Sequence, residues 1–147
     1  MGSTFYSIHH HIVFSTKDRR PFLRAPWHRD LFAYMGGTVG GLGGVAESIN
    51  GVHDHVHLLL SLKTTHAPSE LVRELKKASS VWATQKHEPS FEWQEGYSIF
   101  SVSWTHLPVV KRYIEGQEEH HRKLSFCDEL KRLLEKNGVV YDPKYLL

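Results

Sequence analysis

The sequence predicts an α+β protein built on a ferredoxin-like antiparallel sheet, with helices on one face and a histidine pair on a central strand. Three observations carry this expectation. The elements read in the order β-α-β-β-α-β-α-α, a split βαβ unit followed by two further helices. Four segments rich in β-branched and aromatic residues alternate at the strand period, and two helical patterns separate them as crossovers. The strand HVHLLLSL sets a wholly apolar face, Val56, Leu58, Leu60 and Leu62, against His55 and His57. The apolar set marks the core side, so the histidines point away from the crossover helices, to a face left open for a site or a partner.

Each element has a local reason. Residues 4–15, TFYSIHHHIVFS, have strand composition. Tyr6, Ile8, His10, Ile12 and Phe14 share one face, while Phe5, Ser7, His9, His11 and Val13 share the other. Neither face is cleanly polar, so both are expected to be covered. Thr16 to Arg24 is basic, with Pro21 as a breaker. Pro26 starts a helix from Trp27 to about Met35, which Gly36 and Gly37 end. Six glycines lie between Gly36 and Gly44. They lack the Gly-Lys-Ser/Thr ending of a phosphate loop and do not lead from a strand into a helix, so a flexible connection is expected. Val45 to Val52 and His55 to Leu62 form a hairpin turning near Gly51 to Asp54. Pro68 opens a helix to about Lys86, with Leu71, Leu75, Ala78 and Trp82 on one face. His87 to Glu95 is a loop, and YSIFSVSW, Tyr97 to Trp104, is the fourth strand. Pro108 opens a helix to about Lys123. A last helix covers roughly Asp128 to Lys136, stopped by Gly138, and the apolar tail VVYDPKYLL is expected to dock. No repeat, low-complexity tract or linker divides the chain, so residues 1–147 read as a single domain.

Composition excludes several classes. The 147 residues are 40 % hydrophobic and 23 % charged, which is globular rather than disordered composition. No apolar run approaches the roughly 18 residues of a membrane span, and no signal-peptide pattern opens the chain. One cysteine, Cys127, excludes an internal disulfide framework and a multi-cysteine zinc site, and makes a reducing cytosol the expected location. A net charge of +2 does not by itself point to nucleic acid. The unusual count is 12 histidines, grouped at His9 to His11, His53 to His57 and His120 to His121.

Three groups of residues can carry chemistry. His55 and His57 lie one strand repeat apart and can reach one metal ion, but two imidazoles need a further ligand. The plainer alternative is a pair of polar residues on a half-exposed strand. In the helix PVVKRYIEGQEEHHRKL, at about 100° per residue, Gln117 and His120 lie within about 40° of Tyr113, and His121 lies further round. One face thus offers a phenol, an amide and one or two imidazoles, unless it is simply an amphipathic helix with a buried tyrosine. Lys17, Arg19, Arg20, Arg24, Arg73, Lys76 and Lys77 are candidates for phosphate contact, with Trp27, His28, Trp82, Trp93 and Trp104 to stack on bases or fill the core. Taken together the groups suit phosphodiester transesterification: a tyrosine nucleophile, a divalent cation on the phosphate, and a basic surface for the strand. A mixed imidazole and amide set with open positions suits Mg2+ or Mn2+ rather than closed structural zinc.

The sequence resembles the HUH nucleases through His-hydrophobic-His followed by apolar residues. With a tyrosine in KRYIEGQ it is similar to the single-tyrosine transposases of insertion sequences, REP-associated tyrosine transposases included. The resemblance runs through VFSTKDRR, GVHDHVHLLLSL, ELVRELKKASSVW, GYSIFSVSW and VVKRYIEGQEEHHRK. It implies single-stranded DNA with hairpin ends as substrate, and a bacterial, nucleoid-associated location. It implies His55, His57 and Gln117 as ligands of Mg2+ or Mn2+, and Tyr113 as the nucleophile forming a 5′-phosphotyrosine and a free 3′-OH. His120 and His121 are possible accessory ligands or proton carriers. Lys17, Arg19, Arg20, Arg73, Lys76 and Lys77 are the expected DNA contacts. A homodimer with composite sites is implied, the tyrosine helix of one copy packing on the other's histidines. The alternative of a different class is a noncatalytic or domesticated DNA-hairpin-binding protein of the same fold. An RNA-recognition domain is disfavoured because YSIFSVSW lacks the usual aromatic strand motif. A replication nickase is disfavoured by small size, and a hydrolase because no carboxylate pair accompanies the histidines, although Asp54 and Glu47 are near in sequence.

Overall fold

The computed structural model describes residues 2–24 and 26–146. Its sheet comprises β1 (His9–Ser15), β2 (Val45–Val52), β3 (His55–Ser61) and β4 (Ser98–Val102) in the order β2-β3-β1-β4, every pair antiparallel. This is the ferredoxin-like order, with β3 and β1 central, as expected. Val13 pairs with His57 and Ser15 with His55, while Asn50 and Val52 flank the same histidines from β2. A bulge near Glu47 shifts the β2 register.

The crossover helices α1 (Trp27–Gly41) and α2 (Pro68–Lys86) cover one face. Ile12, Phe14, Val56, Leu58 and Leu60 meet Leu31, Met35, Val39, Leu71 and Leu75 there, all buried. Trp93 joins this core, its indole N–H donating to Ser79 Oγ at 2.9 Å. Trp27 and Trp82 are half-buried beside it, and Trp104 is exposed.

The other face is not left open. α3 (Leu107–Glu115), α4 (Gln117–His120) and α5 (Phe126–Lys136) lie over it. Leu107 and Ile114 pack on Leu59, and Phe126, Leu130 and Leu134 pack with Val13 and Phe100. The tail docks only in part: Leu146 is buried in the second of these clusters and Tyr141 packs against it, while Val139, Val140 and Tyr145 are exposed; Leu147 lies outside the described residues.

Three boundaries differ from expectation. The glycine-rich segment is helix as far as Gly41, not a flexible connection. Each helical glycine costs about 1 kcal/mol against alanine, but Leu31, Phe32, Met35 and Val39 are buried along the helix and hold it on the sheet. The turn falls at Gly43, whose φ of +91° is where a helix-ending glycine belongs. The expected helix from Pro108 to Lys123 breaks at Gly116 into α3 and α4. Residues 4–8 lie outside the sheet, with Phe5 and Tyr6 exposed.

Candidate active site

β3 delivers the histidines. Its period of two sends Val56, Leu58 and Leu60 into the crossover core and His55, His57 and Leu59 beneath α3–α5. Both imidazoles are fully buried. Asn50 on β2 ties the tyrosine helix to the strand pair, donating through Nδ2 to the Ile114 carbonyl at 2.9 Å and the Glu115 carbonyl at 3.2 Å. The chain then kinks at Gly116 and drops Gln117, also fully buried, onto His55. Gln117 Oε1 lies 3.3 Å from His55 Nε2.

The centre of the site is a residue the sequence reading missed. Glu129 of α5 is buried among the histidines. His121, His57 and His55 place their Nε2 atoms 2.9, 3.0 and 3.2 Å from Glu129 Oε1. Gln117 Nε2 donates to Glu129 Oε2 at 3.0 Å, and the Tyr113 hydroxyl donates to the same oxygen. His120 Nε2 is 3.4 Å from that hydroxyl. The signal was present in the sequence. Glu129 follows Phe126 by three positions and precedes Leu130, so it sits on the apolar stripe of an amphipathic helix. A carboxylate there is buried and needs partners.

Two more groups orient the histidines. Asp54 Oδ1 lies 2.8 Å from His55 Nδ1. His11 Nε2 lies 2.8 Å from His57 Nδ1, the two rings stacked with centroids 5.1 Å apart. Outer partners of this kind fix the tautomer of a ligating imidazole.

Electrostatics follow from burial and the carboxylate. Burial opposes charge on Glu129, but hydrogen bonds from His121, His55 and His57 outweigh it and hold the carboxyl well below its usual range. Burial likewise opposes charge on His55, yet its bonds to Asp54 and Glu129 raise it above the ordinary value. His57 is pulled down to about 4 and His11 to about 3, burial being the largest cause in each. Tyr113 is pushed up by burial and then by the neighbouring Glu129 charge.

His55, His57, His121 and Glu129 each offer one ligand atom, and these atoms lie within 4.8 Å of one another. The donor chemistry, three imidazoles and one carboxylate, fits a divalent transition-metal cation. Gln117 stands at the edge of this set through its contacts with His55 and Glu129.

Of the expected DNA contacts, the structure brings Lys17 and Arg20 together with Lys77 on either side of Glu92, which pairs with Lys17 at 3.1 Å. Arg19 is half-buried in the tight turn that follows β1, and Arg73 is exposed on α2 beside Glu74. Lys76 departs from expectation. Its ammonium donates to the carbonyls of Gln94 and Gly96 and sits 4.9 Å from the centroid of the Phe14 ring. Desolvation pulls it down to about 8. It ties the 94–96 loop to α2, and its donors face backbone rather than solvent.

The four-stranded antiparallel sheet with a histidine cluster beneath its helices matches the fold of a tyrosine transposase. The sequence model of the family described as "Transposase IS200 like" matches residues 4–117, and the chain belongs to that family. A search of curated proteins gave no match. Among solved structures, the chain is similar to a protein of Deinococcus radiodurans R1 described as a transposase, with 24 % identity and a TM-score of 0.61 over 80 % of this chain and 95 % of that one. It is also similar to a REP-associated tyrosine transposase bound to a REP hairpin, with 15 % identity and a TM-score of 0.62 over 82 % of this chain and 74 % of that one. No described helix is long and apolar enough to cross a membrane.

Proposed function

We propose that this transposase-family protein cleaves and rejoins single-stranded DNA at hairpin ends by transesterification, with Tyr113 as nucleophile. The observation that carries the reading is the Tyr113 hydroxyl held on Glu129, beside the buried His55 and His57 and the partly buried His121, which converge on the same carboxylate. The phenolic oxygen forms the new bond to phosphorus, and the bond from phosphorus to the 3′ oxygen breaks. The products are a 5′-phosphotyrosine and a free 3′-OH, the departing oxygen taking up a proton. Reversal by a new 3′-OH rejoins strands without ATP, because the ester retains the bond energy.

His55, His57 and Glu129 would hold the cation, with His121 or Gln117 completing the set. A divalent cation there would neutralise the scissile phosphate and polarise the bond being broken. Mg2+ prefers oxygen ligands, so the nitrogen-rich set favours Mn2+ of the two expected ions. Glu129 Oε2 is the acceptor that holds the phenolic proton, and His120 Nε2 lies 3.4 Å from the phenolic oxygen. Asp54 and His11 fix His55 and His57 from behind. Within one chain Tyr113, Glu129 and the histidines already lie together, and a homodimer that exchanges the tyrosine helix would build the same site from two copies. Lys17, Arg19, Arg20, Arg73 and Lys77 supply phosphate contacts at a distance from the chemistry.

The test is a covalent-adduct assay. Labelled single-stranded oligonucleotides carrying hairpins are mixed with protein and Mn2+ or Mg2+, then resolved on a denaturing gel. A shifted band is expected that both Tyr113→Phe and EDTA remove. Hairpin binding without any adduct would replace this reading with a noncatalytic hairpin binder.

A further inference from the structure

Two clefts meet at Tyr113. One, of ≈ 230 Å³, lies between β4, α3 and α5, with Phe100, Val109, Val110 and Leu133 on its apolar walls. The other, of ≈ 590 Å³, adjoins it and is lined by Arg112, Lys123 and Glu119, the Glu119 carboxylate being paired with Arg122. Tyr113 and Arg132 line both. Arg132 and Lys136 are exposed on α5, and neither they nor Arg112 and Lys123 have a carboxylate within ion-pair distance among the described residues. Unpaired cations beside a nucleophile suit a phosphate. The apolar cleft is smaller than the roughly 300–1,000 Å³ that takes a drug-sized ligand, and a single flat ring system matches it.

We infer that the apolar cleft is a subsite for one unstacked base of the single-stranded DNA beside the scissile phosphate, and that Arg132 contacts that phosphate at Tyr113. The inference rests on the transesterase reading and adds where the strand runs. Enzymes that modify a base flip it out of the stack into a snug pocket, and proteins that bind single strands hold unstacked bases on aromatic side chains such as Phe100. Burying one base on Phe100 and the two valines fixes the strand's register, so the adjacent phosphorus meets the phenolic oxygen. The backbone then continues into the second cleft along Arg112 and Lys123. Leu133, Arg132 and Lys136 all lie on α5, beyond the 4–117 segment shared with the family. Base preference at this position is therefore set jointly by Phe100, Val109 and Val110 within that segment and by α5 outside it.

The experiment uses a hairpin oligonucleotide whose single-stranded arms are randomised, with Mn2+, and sequences the free 3′ ends released by adduct formation. The wild type is expected to show a strong base bias at one position next to the cut. Val109 is 43 % exposed, so Val109→Trp fills the cleft without disturbing a core. It should lower the single-turnover adduct rate on the order of a hundredfold, the cost of a misplaced reacting atom, and erase the bias, while hairpin affinity by fluorescence anisotropy stays unchanged. Arg132→Gln should lower the rate at saturating DNA with unchanged hairpin affinity, and Arg132→Lys should recover part of it. Wild-type rate and bias in Val109→Trp, with a normal adduct, would overturn the subsite and leave Tyr113 as nucleophile. Absence of any wild-type adduct would overturn the transesterase reading and the subsite with it.

Discussion

Replacing Glu129 by glutamine removes one negative charge and almost no volume. The side chain is 1 % exposed and accepts from Tyr113, Gln117 and three imidazoles. Glutamine keeps one carbonyl oxygen, and its amide nitrogen cannot accept. Whichever way it turns, one group of buried donors loses its acceptor. A stranded buried donor costs about 1–3 kcal/mol, and removing one partner of a buried charge network about 3–5 kcal/mol. The metal-free variant is therefore expected to lose about 3–5 kcal/mol. For a chain of this size that lowers Tm by roughly 6–20 °C, at about 2–4 °C per kcal/mol. Thermal unfolding followed by circular dichroism, in EDTA and in Mn2+, separates two effects. Mn2+ at about 100 times its Kd adds about 2.7 kcal/mol to the wild type, and the variant should lose most of that increment. A variant that melts with the wild type in EDTA and gains equally from Mn2+ would refute the reasoning. Glu129 would then neither hold the histidines nor face the cation. A lowered Tm in EDTA with an intact Mn2+ increment would refute only the ligand role.

Other outcomes follow from the same geometry. Between pH 6.5 and about 3 the unfolded chain binds a proton at His11 that the folded protein refuses, so His11 makes stability fall as pH falls through that window. His11→Leu should flatten the decline by up to about 1.4 kcal/mol per pH unit; equal slopes in urea titrations of the two proteins would count against it. His57→Ala should abolish adduct formation while hairpin affinity is retained, and equal loss of both would show that cleavage and hairpin binding share one surface. Lys77→Ala and Arg73→Ala should each reduce the salt dependence of DNA binding by about one unit of slope. Lys76→Ala should instead lower Tm with the slope unchanged, because its ammonium holds the 94–96 loop. A Cβ at Gly51 would overlap the His55 carbonyl oxygen and lie 3.0 Å from Val56 Cα. Gly51→Ala should thus cost about 3 kcal/mol, at the upper end for a point substitution, and an unchanged Tm would refute that packing.

What could be read in the sequence was what the strand and helix periods fix locally. HVHLLLSL placed both its histidines and its core face correctly because alternation needs no knowledge of neighbours. PVVKRYIEGQEEHH put Tyr113, Gln117 and His120 on one face for the same reason, and the structure brings all three to the histidines despite the break at Gly116. Glu129 was missed because the strand histidine His57 that it joins lies 72 residues away along the chain, so no local period links the carboxylate to that pair. The glycine segment was misread because local propensity was weighed without the four apolar residues that α1 buries. Lys76 looked like its neighbour Lys77 in a basic helix. Only the fold of the 94–96 loop distinguishes them.

The position of α5 explains how a carboxylate comes to lie under the sheet's histidines. Phe126, Leu130 and Leu134 are buried with Val13 and Phe100, and each such side chain gains about 1.5–3 kcal/mol on burial. That gain drives α5 onto the sheet and carries Glu129 inward with it. An unpartnered carboxylate would oppose the docking by several kcal/mol. Three imidazoles and a phenol relieve that cost, and the histidines in turn would be poorly satisfied without α5. Docking of α5 and binding of a cation at the proposed site would therefore be coupled, since both would require His55, His57 and His121 in one arrangement. It follows that α5, although beyond the segment shared with the family, is part of the site rather than an appendage. Any change that loosens the Phe126–Leu134 face should weaken cation binding without touching a ligand.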